Sequence, residues 1–381
     1  MDAFIDCPLE NITVDPENTN YKSDSKSFYT GTDNSTLLRV CVSYSGEYII
    51  ASYVTTINSY CFSYCINISS IQTNNSITSI GIFAFYNCSS LTNINIKGNL
   101  EGIAQSQFYN CESLANIIFN GNLNKIYVNS LSYHNSLINI TITGNVSEIE
   151  DYAFSNCPSL TSFTILGNAK SINSNVFSRC SKITDIIING NISEIGSSAF
   201  SSCKSLKGIK IKGDITKIDE FTFGGCTSLT NFTIPETVTK IMDYAFSDCI
   251  SLTKIIFPGS ISTIKRSVFE SCKNLKNVTF LNNSNSMEIS YDAFSTIPNP
   301  INIYIPGNFN IEQSSATEAF PERSNLYITS ETILSDDCDR FFGSKSVYVY
   351  IETSTKISDK TTNDVIKYIA IGCPKVCLAQ T

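Results

Sequence analysis

The sequence predicts an α/β solenoid of about eleven stacked 23-residue units, with a parallel sheet on one face and short helical or 3₁₀ returns on the other. Three observations support this fold class. A cysteine recurs every 23 residues, an isoleucine stands eight residues before it, and an alternating apolar pair with a Gly-Asn turn follows it. A fixed period of this length indicates a repeat architecture rather than two or three separate globular domains.

The cysteines define the register of the repeat. Nine of them are spaced by 23 residues or by twice 23, and we call them the ladder cysteines: Cys65, Cys88, Cys111, Cys157, Cys180, Cys203, Cys226, Cys249 and Cys272. The one vacant position, midway between Cys111 and Cys157, holds His134, and the same unit has Leu131 where the other units have Phe. A looser eleventh unit follows around Phe294.

Each unit carries a strand and a turn. Apolar pairs separated by one residue, such as Ile94 with Ile96 and Phe232 with Ile234, have the period of a half-buried strand. A Gly-Asn dipeptide follows, as at Gly98-Asn99, and both residue types tolerate positive φ. The sequence therefore predicts that the chain leaves each strand at this turn.

The return from the isoleucine to the cysteine has tighter spacing. In IEDYAFSNC, the apolar residues Ile149, Ala153, Phe154 and Cys157 follow one another at intervals of four, one and three. This spacing favours one or two helical turns, partly 3₁₀. No single unit can bury its own apolar edge, so we expect the units to stack into one continuous core.

The unit I-x-x-x-A-F-x-x-C-x-x-L-x-x-I-x-I resembles the BspA-like, or Treponema pallidum-type, leucine-rich repeat. The segments IGSSAFSSCKSLKGIKI and IMDYAFSDCISLTKIIFPGSI match it almost position by position. The resemblance covers about residues 51–310 and identifies the solenoid as a leucine-rich-repeat solenoid. It implies a surface antigen with protein-binding, adhesion and host-interaction roles, and it implies no catalytic residue.

The two ends depart from the repeat. Residues 1–50 are predicted to form an N-terminal repeat with a β insertion or cap, because VDPENTNY and the following Phe-Tyr and Leu-Leu pairs break the 23-residue register. Residues 51–310 form the predicted solenoid, and residues 311–381 are predicted to be degenerate repeats and a C-terminal cap. A solenoid needs such caps because its end units expose apolar edges.

Composition limits the classes of partner. The net charge of −8 and pI near 4.9 argue against nucleic acid, which needs clustered Lys and Arg. No uncharged apolar run approaches the ~18 residues of a membrane span, so we expect no span in this chain. The stretch MDAFIDCPLENITVDPENTN has neither a basic n-region nor an apolar h-region. A cell-surface or secreted location, which the resemblance implies, and a cytoplasmic one both remain open.

The cysteines and the histidine suggest chemistry that we interpret as structural. The ladder cysteines follow an inward Phe and are expected to be buried thiols rather than metal ligands. His134 beside two of them suggests an activated thiolate, but spacing fixes no third residue, and two departures in one unit indicate a slightly opened rung. We expect no cofactor, no metal and no enzymatic activity. Cys338 could pair with Cys373 or Cys377, or all three could be free thiols.

The candidate binding surface follows from strand geometry. The residue between the two inward strand residues must face outward, and together with three flanking positions these residues form the predicted binding strip. The strip consists of Asn95, Ile118, Thr141, Thr164, Asp185, Ile187, Lys210, Lys212, Thr233, Lys254, Ile256, Thr279 and Tyr304. The sequence thus favours a non-enzymatic adhesin that binds a host surface or matrix protein. The alternative is an intracellular scaffold or regulatory subunit that binds a protein partner.

Overall fold

The computed structural model describes residues 9–30, 33–104, 106–281, 286–290, 292–294, 296–305, 310–311, 321, 323–329, 347–352 and 376–378. The repeats form the turns of a parallel-sheet β-solenoid, about eleven in all. The chain divides into two compact parts, Met1–Ser193 and Glu194–Thr381, which we call the first unit and the second unit. Each turn of the solenoid, which we call a rung, contributes one strand to a front sheet and one short back strand where these strands are formed.

The front sheet of the first unit has seven parallel strands. Numbered in chain order, they are β4 (Gly46–Ile49), β6 (Ile68–Gln72), β8 (Asn93–Lys97), β10 (Asn116–Asn120), β12 (Asn139–Ile142), β14 (Ser162–Ile165) and β16 (Asp185–Ile188). Neighbouring strands pair with a shift of one repeat, so that Ile117 lies beside Ile94 on one side and Ile140 on the other. All three side chains are buried, and the predicted register is confirmed.

Short back strands, which the sequence analysis did not predict, follow each turn of the first unit. They are β5 (Thr56–Ile57), β7 (Ser79–Ile80), β9 (Leu100–Ile103), β11 (Leu123–Ile126), β13 (Val146–Ile149) and β15 (Ala169–Ile172). An antiparallel hairpin, β1 (Tyr21–Ser23) with β2 (Ser27–Thr30), precedes β3 (Thr36–Val40), and β3 pairs with β5 in parallel. The isoleucine before each ladder position thus ends a strand rather than beginning a return.

The second unit repeats the arrangement. Its back strands are β17 (Glu194–Ile195), β18 (Lys217–Ile218), β19 (Lys240–Ile241), β21 (Thr263–Ile264), β23 (Ser286–Ile289) and β25 (Asn310–Ile311). Its front strands are β20 (Lys254–Phe257), β22 (Asn277–Phe280), β24 (Asn302–Ile305), β26 (Asn325–Thr329), β27 (Val347–Glu352) and β28 (Val376–Leu378). Parallel pairing continues from β24 through β28, past the predicted end of the solenoid at residue 310. The predicted division into three domains stays a prediction.

Both residues of each Gly-Asn pair stabilise the turn. Gly98 has φ of +116°, and a Cβ on it would lie 2.1 Å from the carbonyl oxygen of Ile77. The next residue forms a ladder in which each asparagine N–H donates to the Oδ1 of the previous rung, as from Asn122 to Asn99 and from Asn145 to Asn122, both at 2.8 Å. The turn therefore needs glycine for space and asparagine for the inter-rung hydrogen bond.

The predicted helical returns are wrong, because the described residues contain no helix. Backbone N–H groups in a return donate alternately inside and outside their own rung: Ser63 donates to Tyr60 O at 3.0 Å, whereas Phe62 donates to Ala84 O at 2.7 Å in the next rung. Residues five and one before the ladder position have positive φ, at Tyr60, Tyr64, Phe83, Asn87, Asn110, Asn129, Tyr133, Tyr152, Asn156, Asn175, Arg179, Ser198, Ser202, Phe221, Gly225, Tyr244, Asp248, Ser267 and Ser271. A left-handed residue every four positions interrupts a helix, so the returns are chains of turns.

The core consists of columns of identical side chains. Phe154 stacks on Phe177 with ring centroids 5.5 Å apart, and Phe223 stacks on Phe246 at 5.4 Å, each pair within one unit. The residues of the phenylalanine column are fully buried, as are all the ladder cysteines apart from a trace of exposure at Cys111. Stacking gives each rung the apolar contacts that it cannot supply alone.

Candidate functional site

The outward positions of the first front sheet form one straight column. Strand register places Ile118 beside Asn95 and Thr141, and it places Thr164 beside Ile187. None of these side chains is buried, and the two isoleucines are 38% and 47% exposed, Ile187 being the more exposed. The residues in this part of the predicted binding strip thus lie on the outer surface of the sheet, and their role in binding stays a prediction. The column offers two apolar side chains, separated by two threonines, on a rigid sheet.

A second column, of asparagines, borders the first. The Nδ2 of Asn116 donates to the Oδ1 of Asn93 at 2.8 Å, and the Nδ2 of Asn139 donates to the Oδ1 of Asn116 at 2.9 Å. Asp185 ends this edge of the strip, is exposed, and accepts a hydrogen bond from Thr184 Oγ1 at 2.8 Å. Because each amide pairs with its neighbour, the border is a fixed polar edge beside the isoleucines.

The second unit has a similar outward column within its own front sheet. Ile256 lies beside Thr279, Thr279 lies beside Tyr304, and the column goes on to Tyr327, which the sequence analysis missed. The Tyr304 and Tyr327 rings stack with centroids 4.6 Å apart. A signal was available, since Tyr327 follows Tyr304 by 23 residues in NLYIT, which repeats the pattern of NIYI. The sheet thus presents aromatic area at this end.

The lysines of the strip lie on a less regular surface. Lys210, Lys212 and Thr233 are exposed, but residues 207–212 and 230–235 form no assigned strand, so the predicted strand at Phe232 is not formed. Lys254 borders a hollow of about 280 Å³. The hollow is also lined by Ile256, Leu281 and Glu236. The structure therefore places these predicted residues on the surface and brings Thr233, Lys254 and Ile256 to one hollow.

The ladder cysteines have a structural role. In seven of them the Sγ donates to the backbone oxygen of the residue three before the previous ladder position, as from Cys111 to Phe85 O at 3.0 Å and from Cys249 to Phe223 O at 3.2 Å. Burial raises the pKa of Cys226 to about 12, from a usual value of 9.0. A thiol held protonated is a poor nucleophile, so these cysteines are small buried donors.

His134 takes the place of a ladder cysteine and makes the same bond. Its Nε2 lies 3.1 Å from Phe108 O, the oxygen that a cysteine at this position would reach, and its Nδ1 lies 3.1 Å from Ser132 O. The imidazole is half-buried, whereas the ladder thiols are buried. The predicted position in the cysteine column is confirmed, and both ring nitrogens are directed at backbone oxygens rather than at a thiol.

In the described part of the chain, no group of three or more His, Cys, Asp or Glu side chains could hold a metal ion, and no helix is long and apolar enough to cross a membrane. The predicted pairing of Cys338 with Cys373 falls outside the described residues, as does the Cys377 side chain. The described cysteines are all free thiols.

Several solved structures are similar to this chain. A leucine-rich repeat protein from Bacteroides ovatus matches at 20% identity over 77% of this chain and 94% of that one, with a TM-score of 0.34. The T. pallidum leucine-rich repeat protein matches at 21% identity over 51% and 91%, with a TM-score of 0.37. The pneumococcal vaccine antigen PcpA matches at 14% identity over 97% and 100%, with a TM-score of 0.38. No curated protein matches the chain.

The family comparison is specific to the repeat. The model of the BspA type leucine rich repeat region matches in six copies over residues 40–161, 128–222 and 193–327. These ranges include the ladder cysteines, the outward columns and the turns described above, and the family indicates no catalytic activity. The chain belongs to the BspA-type leucine-rich repeat family.

Proposed function

We propose that this chain is a non-enzymatic, cell-surface or secreted adhesin that binds a host surface or matrix protein through the front sheet. The observation that carries the proposal is the outward column of the first unit, Asn95 to Ile187, which places exposed isoleucines on a rigid strip beside a fixed asparagine border. Repeat proteins bind partners on such extended sheet surfaces.

The chemistry of the strip favours a protein partner. Binding energy at protein interfaces concentrates in a few well-packed side chains surrounded by polar groups that exclude water. Ile118 and Ile187 supply apolar anchors, and the threonines between them present only a methyl and a hydroxyl group. Their flat, hydrogen-bonded support needs little reordering on binding, which lowers the entropic cost of association.

The test has a cellular part and a surface part. Intact native cells are labelled with a membrane-impermeant reagent, and beads carrying purified protein are then assayed on host cells and on matrix proteins. The variant Ile118→Thr/Ile187→Thr gives both positions a residue that the column already holds, so the strands should persist. The matched control is Ile82→Thr, which changes an exposed isoleucine outside the front sheet.

We expect the protein to be labelled, the strip variant to bind at least about tenfold more weakly than wild type, and the control to bind normally. Equal binding by the strip variant and wild type would remove the strip from the proposal. An unlabelled protein that is abundant inside the cell would overturn the surface location and favour the intracellular scaffold.

A further inference from the structure

The backbone ladder between successive returns is interrupted at the Cys111 return of the first unit. Phe85 and Asn87 donate their N–H groups to Gln107 O and Tyr109 O in the next rung, at 3.0 and 2.9 Å. Phe108 and Asn110 hold the equivalent positions one rung later, and their N–H groups make no such bond among the described residues. The ladder then resumes in the following rung. The two rungs are therefore parted between Cys111 and His134.

The size of the imidazole accounts for this opening. His134 must place Nε2 against Phe108 O, as a thiol does elsewhere, but its ring fills far more volume than one sulfur atom. Close-packed interiors have no spare space for such a group, so the rungs part instead. On the far side of the same rungs, β10 and β12 keep their full register, which confines the opening to the returns.

The opening forms a groove of about 710 Å³, a volume within the usual range for small-molecule sites. We call it the His134 groove. It is lined by Tyr109, Asn110, Glu112, Asn129, Tyr133 and Asn135, with His134, Cys111, Ser130 and Ser132 behind them. Tyr109 is 55% exposed and Tyr133 is 70% exposed. Two exposed tyrosines thus flank a groove lined with amides.

The lining defines the chemistry of an occupant. Asparagine side chains both donate and accept hydrogen bonds, which matches the hydroxyl groups of a sugar. A tyrosine has an apolar ring and a polar tip, and the ring suits the C–H face of a pyranose. Tyr86 stacks on Tyr109 at 5.8 Å, so an aromatic surface also leads up to the groove. These groups favour a chain of several sugar units over a single ring.

Other ligand classes fit less well. The groove has no Lys or Arg and one carboxylate, Glu112, so phosphate, sulfate and nucleic acid lack a counter-charge. An added β-strand would have to enter between the rungs, but the 3.1 Å contact from His134 to Phe108 O closes that space. The polar lining is poorly matched to a purely apolar anchor.

We propose that the His134 groove binds a neutral oligosaccharide, which gives the protein a second, lectin-like site apart from the front sheet. Tyr133 packs against a sugar ring, the asparagine amides bind its hydroxyl groups, and Tyr109 supports a neighbouring unit. The site exists because one rung carries histidine in place of cysteine.

Binding is measured by saturation-transfer NMR and titration calorimetry with neutral glycans. One set contains lactose- and mannose-type chains of the host-cell kind, and another contains N-acetylglucosamine chains of the cell-wall kind, so that the source is distinguished. Sulfated and sialylated chains report on charge. We expect at least one neutral chain to bind and the charged chains to bind more weakly because of Glu112. No binding by either neutral set, or tighter binding by charged chains, overturns the proposal.

Two variants locate the site. Tyr133→Asn removes the exposed ring but keeps the fold, because asparagine holds the same left-handed position at Asn87, Asn110 and Asn156. Its matched control, Tyr64→Asn, makes the same change at the equivalent position of another rung. We expect about a tenfold loss of affinity for Tyr133→Asn and no loss for Tyr64→Asn. Equal affinities in both variants would rule out the groove.

His134→Cys tests the origin of the groove. It restores the residue that the other ladder positions carry and should close the rungs, so glycan binding should be lost while adhesion through the front sheet continues. That separation keeps failure of this site distinct from failure of the proposed adhesin function. Unchanged glycan affinity in a folded His134→Cys protein would contradict the proposal.

Discussion

The returns at Cys157 and at His134 differ in the residue at the ladder position and in the backbone hydrogen bonds beside it. At Cys157 the thiol donates to Leu131 O at 3.1 Å, and the N–H groups of Leu131 and Tyr133 in the preceding return donate to Ala153 O and Ser155 O. At His134 the imidazole contacts Phe108 O, and the Cys111 return loses the equivalent backbone bonds. The ladder position therefore requires a hydrogen-bond donor that is also small.

That requirement explains why the repeat uses cysteine. Alanine would leave the backbone oxygen without this donor, and a larger polar residue would part the rungs. A thiol is a weak donor that is otherwise apolar, so it can be buried at little cost. In the regular rungs a cysteine fills the ladder position. In the His134 rung a histidine fills it instead, and the protein gains an open surface.

The largest expected effect comes from the phenylalanine column, where the two regions also differ. Phe154→Ala removes a fully buried ring that stacks on Phe177 and contacts Phe163, and we expect a loss of about 3–5 kcal/mol in the free energy of unfolding. Phe154→Leu, which copies Leu131, should cost about 1 kcal/mol. Urea unfolding of the two variants measures both. Similar losses would show that the stacked ring, rather than side-chain volume, supplies most of this stability.

The sequence supports most of this comparison but not all of it. The 23-residue spacing of the cysteines predicted the register, strand alternation predicted the outward column, and the two departures at Leu131 and His134 indicated a slightly opened rung. The spacing of the apolar residues between the isoleucine and the cysteine led to a wrong prediction for the returns. Intervals of four, one and three suit a helix as well as a series of turns. The signal against a helix was the residue before the ladder position, since Asn87, Asn156, Gly225 and Asp248 all tolerate positive φ.

The groove could not be predicted from the sequence. The sequence marked His134 as unusual, but the volume of the opening depends on how far two backbones part around the ring. Tyr109 and Tyr133 gave no periodic signal, because they occupy different positions in their rungs. Side-chain packing, rather than pattern, decides such a site.

A second prediction concerns a histidine placed at the ladder position of a regular rung. Cys249→His places an imidazole between two intact returns, where Phe223 and Gly225 donate to Ala245 O and Ser247 O. We expect a loss of about 2–3 kcal/mol in unfolding free energy, from overpacking and from weakened inter-rung bonds. Chemical unfolding and amide exchange at Phe223 and Gly225 measure this. Cys249→Ala is the control, and unchanged exchange in the histidine variant would show that the ring does not part the rungs.

The thiol rungs should also be sensitive to high pH. The folded-state pKa of Cys226 is raised by burial to about 12 from 9.0, so its contribution to stability is complete below about pH 9 and is lost as pH rises toward 12. Between pH 8 and pH 10, wild type should lose about 1.4 kcal/mol more than Cys226→Ala does. Urea unfolding at both pH values tests this, and equal losses would contradict the assigned burial of the thiol.

The smallest expected effect is a gain. His134→Cys should let the N–H groups of Phe108 and Asn110 reach Ser130 O and Ser132 O, as their equivalents do in other rungs. Each restored hydrogen bond contributes about 1 kcal/mol, and the lost imidazole contacts offset part of this, so we expect a net stabilisation of about 1 kcal/mol. Slower amide exchange at Asn110 would accompany it. If the variant is less stable than wild type, the histidine is an adapted part of this rung, and the opening has a structural purpose of its own. If it is more stable, the chain retains a less stable rung at His134, as expected where a surface is kept open for binding.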